Sequence, residues 1–341
     1  MLGYLKADAL NLLTRRLRSQ GLSGTLRRYL NKARYRRLGL PVYLMIEPAS
    51  TCNLRCPYCS ALQTSEAVPS GIMKLEQFQG LLDDILARKN YYPPLDLFYR
   101  GEPLINPDFA AMVRSATERG LAVGTSTNAT LLNERRREAI LTSGLATMIV
   151  SFDGATKETY EAHRVGAVFE KVVENISAFT AERRRRRLKR PFVDLQFIVT
   201  RKNHHEIELM RQLCRRMGVD HLSLKSMRVP LMDRPLEEAL ALGRDLLPDD
   251  PAFRRYREVR DQEGRVCGYE CLTAMKTCEW GHSAAIRANG DIGLCCQDYG
   301  DTLRIGNVFE MNFWELWWSE GYRKIRESIG QRRLPICRTC D

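Results

Sequence analysis

Between residues 43 and 224, six short apolar runs alternate with longer stretches whose apolar positions recur every three or four residues. No other feature limits the fold as much. The runs cover residues 43–47, 95–99, 121–125, 147–151, 192–200 and 219–224. The helical stretches cover 75–88, 109–119, 132–141, 169–187 and 205–217, and glycines 120 and 144 follow two of them as stop signals. Strands separated by whole helices pair in parallel through right-handed crossovers, which predicts an α/β fold. The alternation alone leaves an open sheet and a barrel equally available. In either, a site belongs beyond the C-terminal ends of the strands.

A cysteine cluster follows the first strand. Cys52, Cys56 and Cys59 stand in the spacing C-x3-C-x2-C. An iron–sulfur cubane has four irons, normally each held by a thiolate. Three close thiolates leave one iron open to a reactant. Zinc sites more often show two C-x2-C pairs. The chain has eleven cysteines and no export signal, which argues for metal over disulfides and for a cytoplasmic protein.

The segment Cys52-Asn53-Leu54-Arg55-Cys56-Pro57-Tyr58-Cys59 resembles the signature of the radical S-adenosylmethionine (SAM) superfamily. The resemblance runs from about residue 43 to the C-terminus. It implies a partial (β/α)6 barrel over residues 41–229, with a [4Fe–4S] cluster whose open iron chelates SAM. The reduced cluster would pass an electron to SAM, giving methionine and a 5′-deoxyadenosyl radical. Tyr58 is the aromatic that precedes the last cysteine. Gly101-Glu102-Pro103 resembles the motif after the second strand that holds the SAM amino group, with Arg100 in place of a more usual glycine. Thr127 and Asn128 belong to a polar turn after the third strand, where Ala129 replaces a frequent glycine. Ser151, Asp153 and Arg164 match a segment that binds the ribose or carboxylate of SAM. An arginine fork suits a carboxylate.

Seven of the eleven cysteines lie between residues 267 and 340. Cys278 precedes Gly290 by twelve positions, Cys295 follows it by five, and Cys337 and Cys340 close the chain as C-x2-C. This resembles the SPASM/Twitch extension of radical SAM enzymes. It implies one auxiliary [4Fe–4S] cluster held by Cys278, Cys295, Cys337 and Cys340 in a domain at 265–341. Cys296 is an alternative to Cys295, and zinc is an alternative occupant. Cys267 and Cys271 are left over, either reaching a cluster or contacting substrate. Cys214 reads as a packed thiol, and the histidines fall in no ligand pattern. Asn289-Gly290 marks a hairpin with a type I′ turn, residues 312–329 a single helix with an aromatic packing stripe, and residues 230–264 a linker with a helix.

The net charge of +12 is concentrated at the N-terminus, where residues 1–40 hold ten Lys/Arg against Asp8 alone. Leucines interleave with the arginines there, predicting a basic amphipathic helix. Three destinations stay open for it: an anionic membrane surface, a partner, or packing on the barrel by its leucines. The arginine run 183–187 has no aromatic platform, so nucleic acid is not an expected partner. A fully ligated auxiliary cluster binds no reactant, so it is suited to accepting an electron. The expected function is thus two-electron oxidation of a small polar metabolite such as a sugar, nucleotide sugar or aminocyclitol. The alternatives are peptide maturation, sugar epimerisation or decarboxylation, and, more remotely, non-catalytic binding of RNA or membranes. The expected partners are that substrate and an electron donor such as flavodoxin or ferredoxin.

Overall fold

The computed structural model describes residues 2–59, 71–229, 235–272, 278–293, 295, 298 and 303–338. Its spine is one mixed sheet. β1 (Tyr43–Ile46), β2 (Leu95–Leu97), β3 (Val123–Thr127), β4 (Thr147–Ser151), β5 (Phe192–Val199) and β6 (His221–Ser226) pair in sequence order, all parallel. The connecting helices are α2 (Leu75–Leu86), α3 (Phe109–Glu118), α4 (Glu134–Leu141), α5 (Lys157–His163), α6 (Phe169–Arg185) and α7 (Ile207–Met217). This is the parallel α/β order that the alternation predicted and the partial barrel that the resemblance implied.

Its cohesion is apolar. Leu44, Leu95, Leu97, Val123, Met148, Val150, Leu195 and Phe197 are buried on the strands, against Phe78, Met112, Ile176 and Phe179 on the helices. Each such side chain contributes about 1.5–3 kcal/mol on burial. Helix starts follow local chemistry: the Asn133 side chain accepts from the Arg136 amide before α4, and Thr156 from the Thr159 amide before α5.

The C-terminal segment joins the barrel sheet rather than standing apart. β9 (Ser283–Ile286) runs parallel to β1, β10 (Asp291–Gly293) returns antiparallel, and β11 (Gly306–Asn307) completes the nine strands. The expected hairpin is present, but its turn differs from type I′. Only Gly290 has positive φ (+88°), and Arg287 N–H donates to Asp291 O while Gly290 N–H donates to Arg287 O. That is a type I turn closed by a glycine bulge. A Cβ on Gly290 would stand 2.4 Å from Phe309 and 2.5 Å from Asn307, so glycine is required twice over.

Two other expectations need correction. The stretch 312–329 forms two helices, α9 (Phe313–Trp318) and α10 (Glu320–Gly330), because Ser319 turns extended and caps the second by accepting from the Tyr322 amide. Residues 230–264 hold more than a linker and the helix α8 (Leu236–Leu246). The hairpin of β7 (Tyr256–Arg260) and β8 (Val266–Cys271) crosses the expected boundary at 264/265 and packs Tyr256 and Tyr269 with Leu240 and Leu246 in a separate small core.

Apart from Trp318, which is 43% exposed, the aromatic stripe is packing. Trp317 is fully buried and donates through Nε1 to the Gly39 carbonyl, Trp314 donates to Asp84 O, and the Arg326 guanidinium lies 3.7 Å from the Trp317 ring centroid. At the other end of the chain, the helical run α1 (Leu2–Arg37) breaks at Gly21.

Candidate active site

The cysteine loop leaves β1 and is fastened on two sides. A Cβ on Gly101 would lie 2.3 Å from Ala49 O and 2.4 Å from Thr51 O, so only glycine lets the strand β2 exit press against the loop backbone. The room this glycine makes is taken by the backbone of the cysteine loop. The Glu102 amide donates to Thr51 O at 2.9 Å, and the Arg55 amide to Val165 O at 2.9 Å. Gly-Glu and Arg-Val-Gly thus hold opposite sides of the loop that carries Cys52, Cys56 and Cys59.

Glu102 is buried. Its carboxylate accepts from Thr127 Oγ1 (2.6 Å), the Asn128 amide (2.8 Å) and the Leu104 amide (3.1 Å), where Pro103 opens a short 3-10 turn. A carboxylate has about four acceptor positions, so one remains for an amine. Burial raises the Glu102 pKa, against the lowering by those three donors.

Asn128 extends its Nδ2 to 3.1 Å from Asn53 Oδ1 and 3.9 Å from Cys52 Sγ, and the Leu54 amide lies 3.4 Å from the same sulfur. Ala129 follows at φ +58°, a left-handed conformation that accounts for glycine being frequent at this position in the family. On the other side, Arg164 Nη1 stands 4.0 Å from Cys56 Sγ and the guanidinium pairs with the buried Asp153. Asp153 also accepts from the Ile198 amide (2.8 Å) and the Tyr58 hydroxyl (3.3 Å). The carboxylate orients Tyr58 and Arg164. Ser151 ends β4, half-buried, in register with Gln196.

Three thiols therefore share a half-buried loop with two polar donors and a cation aimed at them. Burial pushes Cys52 up to about 11 and raises Cys56, which Arg164 opposes. A coordinating metal deprotonates such thiols. The donor set fits a cubane bound by three cysteines.

The second cysteine group is partly described. Cys278 opens the 3-10 turn before β9, Cys295 is buried just after β10, and Cys337 is buried near the C-terminus. Their charges act on one another: Cys278 is raised by burial and then by Cys295 and Cys337, and Cys337 by burial and then by Cys295. Cys296 and Cys340 lie outside the described residues. Among the described residues, no three His, Cys, Asp or Glu stand at the close spacing of a single-ion site. Cys267 is exposed on β8, its thiol directed at Val259 O, and Cys271 ends the same strand. Cys214 is a packed thiol as expected.

Two features near the site escaped the sequence reading, a buried ion pair and a tyrosine. Glu47 and Arg100 form a buried ion pair between the ends of β1 and β2, and Glu47 Oε2 also accepts from the Ala288 amide after β9. The available signal was a carboxylate ending an apolar strand. Tyr99 was the other, and its hydroxyl reaches Cys295 O.

A parallel β/α barrel with a three-thiolate loop at the C-terminal end of its first strand defines a cluster-binding enzyme of the barrel class. Residues 46–214 match the Radical SAM superfamily, and residues 278–341 match SPASM, an iron-sulfur cluster-binding domain. Together the two matches account for more than half of the chain, which belongs to the radical SAM superfamily and carries a SPASM domain. The cofactors of these domains are a [4Fe–4S] cluster with SAM and auxiliary iron–sulfur clusters.

The chain is 26% identical over 318 residues to the tungsten-containing aldehyde ferredoxin oxidoreductase cofactor-modifying protein of Pyrococcus furiosus, covering 87% of this chain and 86% of that one. It is 27% identical over 315 residues to the AdoMet-dependent heme synthase of Methanosarcina barkeri, with 84% and 85% covered. A 129-residue stretch, 38% of this chain and 32% of the other, is 35% identical to the PqqA peptide cyclase of Rhodopseudomonas palustris. The fold resembles Streptococcus suis SuiB bound to precursor peptide SuiA, with a TM-score of 0.60 at 16% identity over 86% of this chain and 69% of that one.

Proposed function

We propose that this enzyme takes a hydrogen atom from a substrate C–H bond and oxidises the resulting substrate by two electrons in total, with a peptide as the substrate class. The observation that carries the oxidative reading is the joining of two cysteine groups through one sheet, bridged by the Tyr99–Cys295 hydrogen bond. Cluster and SAM, when bound, supply the reducing electron and the carbon radical.

The chain's own residues do the rest. Cys52, Cys56 and Cys59 hold the first cluster, and Leu54 N–H and Asn128 Nδ2 stabilise the Cys52 sulfur. Glu102 would accept from the SAM amine at its remaining lone pair. Thr127, Asn128 and Pro103 fix that carboxylate, and Gly101 lets the two loops meet. Arg164, aimed by Asp153, supplies a cation beside Cys56, while Tyr58 donates to the same Asp153 carboxylate. Ser151 offers a hydroxyl to the ribose. Cys278, Cys295, Cys337 and Cys340 would hold one auxiliary cluster, which would supply an acceptor for the substrate's electron. An external donor such as flavodoxin or ferredoxin supplies the first one.

The relative named for PqqA peptide cyclisation supports a peptide over the small metabolite expected from sequence. The heme synthase likeness keeps a second, non-peptide reading in view, in which the same electron balance oxidises a small molecule.

The test is 5′-deoxyadenosine formation by anaerobically reconstituted protein with SAM, reductant and candidate precursor peptides, with iron counted alongside. Product and about eight irons per chain, two cubanes' worth, support the reading. C56A should lose SAM cleavage and about half the iron. C337A should keep SAM cleavage and lose substrate oxidation, and full product yield from C337A overturns the electron-acceptor role.

A further inference from the structure

The helix segment after Gly21 carries a row of exposed leucines. Leu22 is 77% exposed, Leu26 57% and Leu30 62%. At 100° per residue, positions 22, 26 and 30 fall within one stripe, and Tyr29, 46% exposed, falls beside it. The packed face is elsewhere. Tyr35 lies on the far side, buried edge-on against Tyr91 with ring centroids 5.0 Å apart, and its hydroxyl accepts from the Tyr92 amide. Thr25 is buried as well. Leu22, Leu26 and Leu30 therefore take no part in packing the helix on the body, while the side chains of leucines 2–13, on which the sequence expectation of packing rested, lie outside the described residues.

Charge selects among the remaining occupants. From residue 9 to residue 46 the sequence contains no acidic residue. Arg27 and Arg34 flank one edge of the stripe and Arg37 stands at its end, all exposed. Lys32 and Arg36 flank the other edge and pair with Glu279, which fastens the helix to the body while the leucines stay outward. A second copy of the same face would bring arginine against arginine, which is unfavourable. Exposed leucines on a helix whose own charges are all cationic are the pattern of a helix that lies in the plane of an anionic bilayer surface, and Glu279 offsets only the edge formed by Lys32 and Arg36. A second apolar group stands at the root of the helix. Leu38 is 50% exposed, and Trp318, 43% exposed, touches Gly39 and has Arg88 5.7 Å from its ring. Indole and arginine suit the headgroup layer.

We propose that residues 22–38 form a peripheral docking surface for anionic lipid headgroups. Among the described residues no helix is long and apolar enough to cross a membrane, so the contact is parallel to the surface. α1 leads into the N-terminal end of β1, whereas the cysteine loop follows the C-terminal end of that strand.

The experiment is co-sedimentation of the full-length reconstituted protein with phosphatidylcholine vesicles, with and without phosphatidylglycerol. The expected result is binding to the mixed vesicles alone, weakened by 1 M salt, where the screening length falls to about 3 Å. The L22S/L26S/L30S and R27Q/R34Q variants should each bind roughly tenfold more weakly or worse. Both should keep the wild-type circular dichroism spectrum and wild-type 5′-deoxyadenosine formation. Absence of vesicle binding by the wild-type chain overturns the proposal. Equal binding to neutral vesicles overturns the charge argument. A dimer in light scattering that the leucine variant dissolves, without vesicle binding, assigns the face to a second copy instead, and capture by an acidic protein that displaces vesicles assigns it to that partner. None of these outcomes depends on the catalytic reading.

Discussion

The hydroxyl of Tyr99 donates a hydrogen bond to the carbonyl of Cys295 at 3.0 Å. Tyr99 stands two residues before Gly101, whose backbone presses on the cysteine loop, and Cys295 is a candidate ligand of the auxiliary cluster. The Arg287 guanidinium lies 4.6 Å from the Tyr99 ring and donates to Asp298 O. One aromatic side chain thus connects the loops around both cysteine groups. Tyr99→Phe should lower unfolding stability by about 0.5–1.5 kcal/mol, the net worth of one hydrogen bond. It should also speed chelator removal of iron from the auxiliary cluster while leaving the first cluster's rate unchanged. Equal acceleration at both clusters, or none, would show that the bond does not hold the auxiliary loop.

Arg100 occupies a position where the family more often has glycine, and Glu47 is why the guanidinium is tolerated there. The pair is buried, with side-chain exposures of 4% and 0%. Removing one partner strands the other charge. Arg100→Met should therefore cost about 3–5 kcal/mol. Adding Glu47→Gln should return part of that loss, because the amide no longer carries the stranded charge. Denaturant unfolding of the single and double variants measures the coupling, and simple additivity would rule the pairing out.

Ala129 holds φ +58° at full burial. The left-handed region costs an L-residue roughly 1–2 kcal/mol. Ala129→Gly removes that strain, yet loses about 0.8 kcal/mol of buried methyl and about 0.4–1 kcal/mol through the looser unfolded chain. The terms nearly cancel, so Ala129→Gly should unfold within about 1 kcal/mol of the parent. Ala129→Val should be clearly destabilised, since a β-branched residue fits positive φ worst. A melting comparison in matched buffer decides, and a harmless valine would contradict the strain argument.

Burial raises the Glu102 pKa above the usual carboxylate value. The folded protein then holds this proton to a higher pH than the unfolded chain does. Its contribution to stability is full below the unfolded pKa and is lost as pH rises through the raised folded pKa. For one proton the slope reaches at most about 1.4 kcal/mol per pH unit. Subtracting the unfolding profile of Glu102→Gln from that of the SAM-free parent should isolate a term that falls as pH climbs from the usual carboxylate range. A rising difference would mean that the three hydrogen bonds outweigh burial.

How much was legible in advance follows from the range of each interaction. Strand and helix alternation is written in local periodicity, and all six barrel strands lie within a few residues of their expected places. The triad Cys52, Cys56 and Cys59 was legible because one short loop carries all three ligands. The hairpin around Gly290 was legible too, although its turn type was not, since only the backbone shows that Asn289 stays at negative φ while Gly290 alone turns left-handed. Ser319 gave no helix-breaking signal, being common both inside helices and at their caps.

Tertiary structure decided what depends on residues far apart in the chain. Glu47 meets Arg100 and Ala288 only because β9 docks beside β1. Asp153 faces Arg164 and Tyr58 rather than open space because the strand β5 amide and the cysteine loop converge on its carboxylate. The leucines of α1 read alike whether inward or outward, and the burial of Thr25 and Tyr35 determined which face was left in solvent. The sequence by itself determined the element order, the chemistry of the metal ligands and the class of enzyme, because these reside in local pattern and short spacing. Which charges pair, which glycines are indispensable and which face stays exposed were decided by packing, because burial is a property of the assembled fold and no single segment carries it.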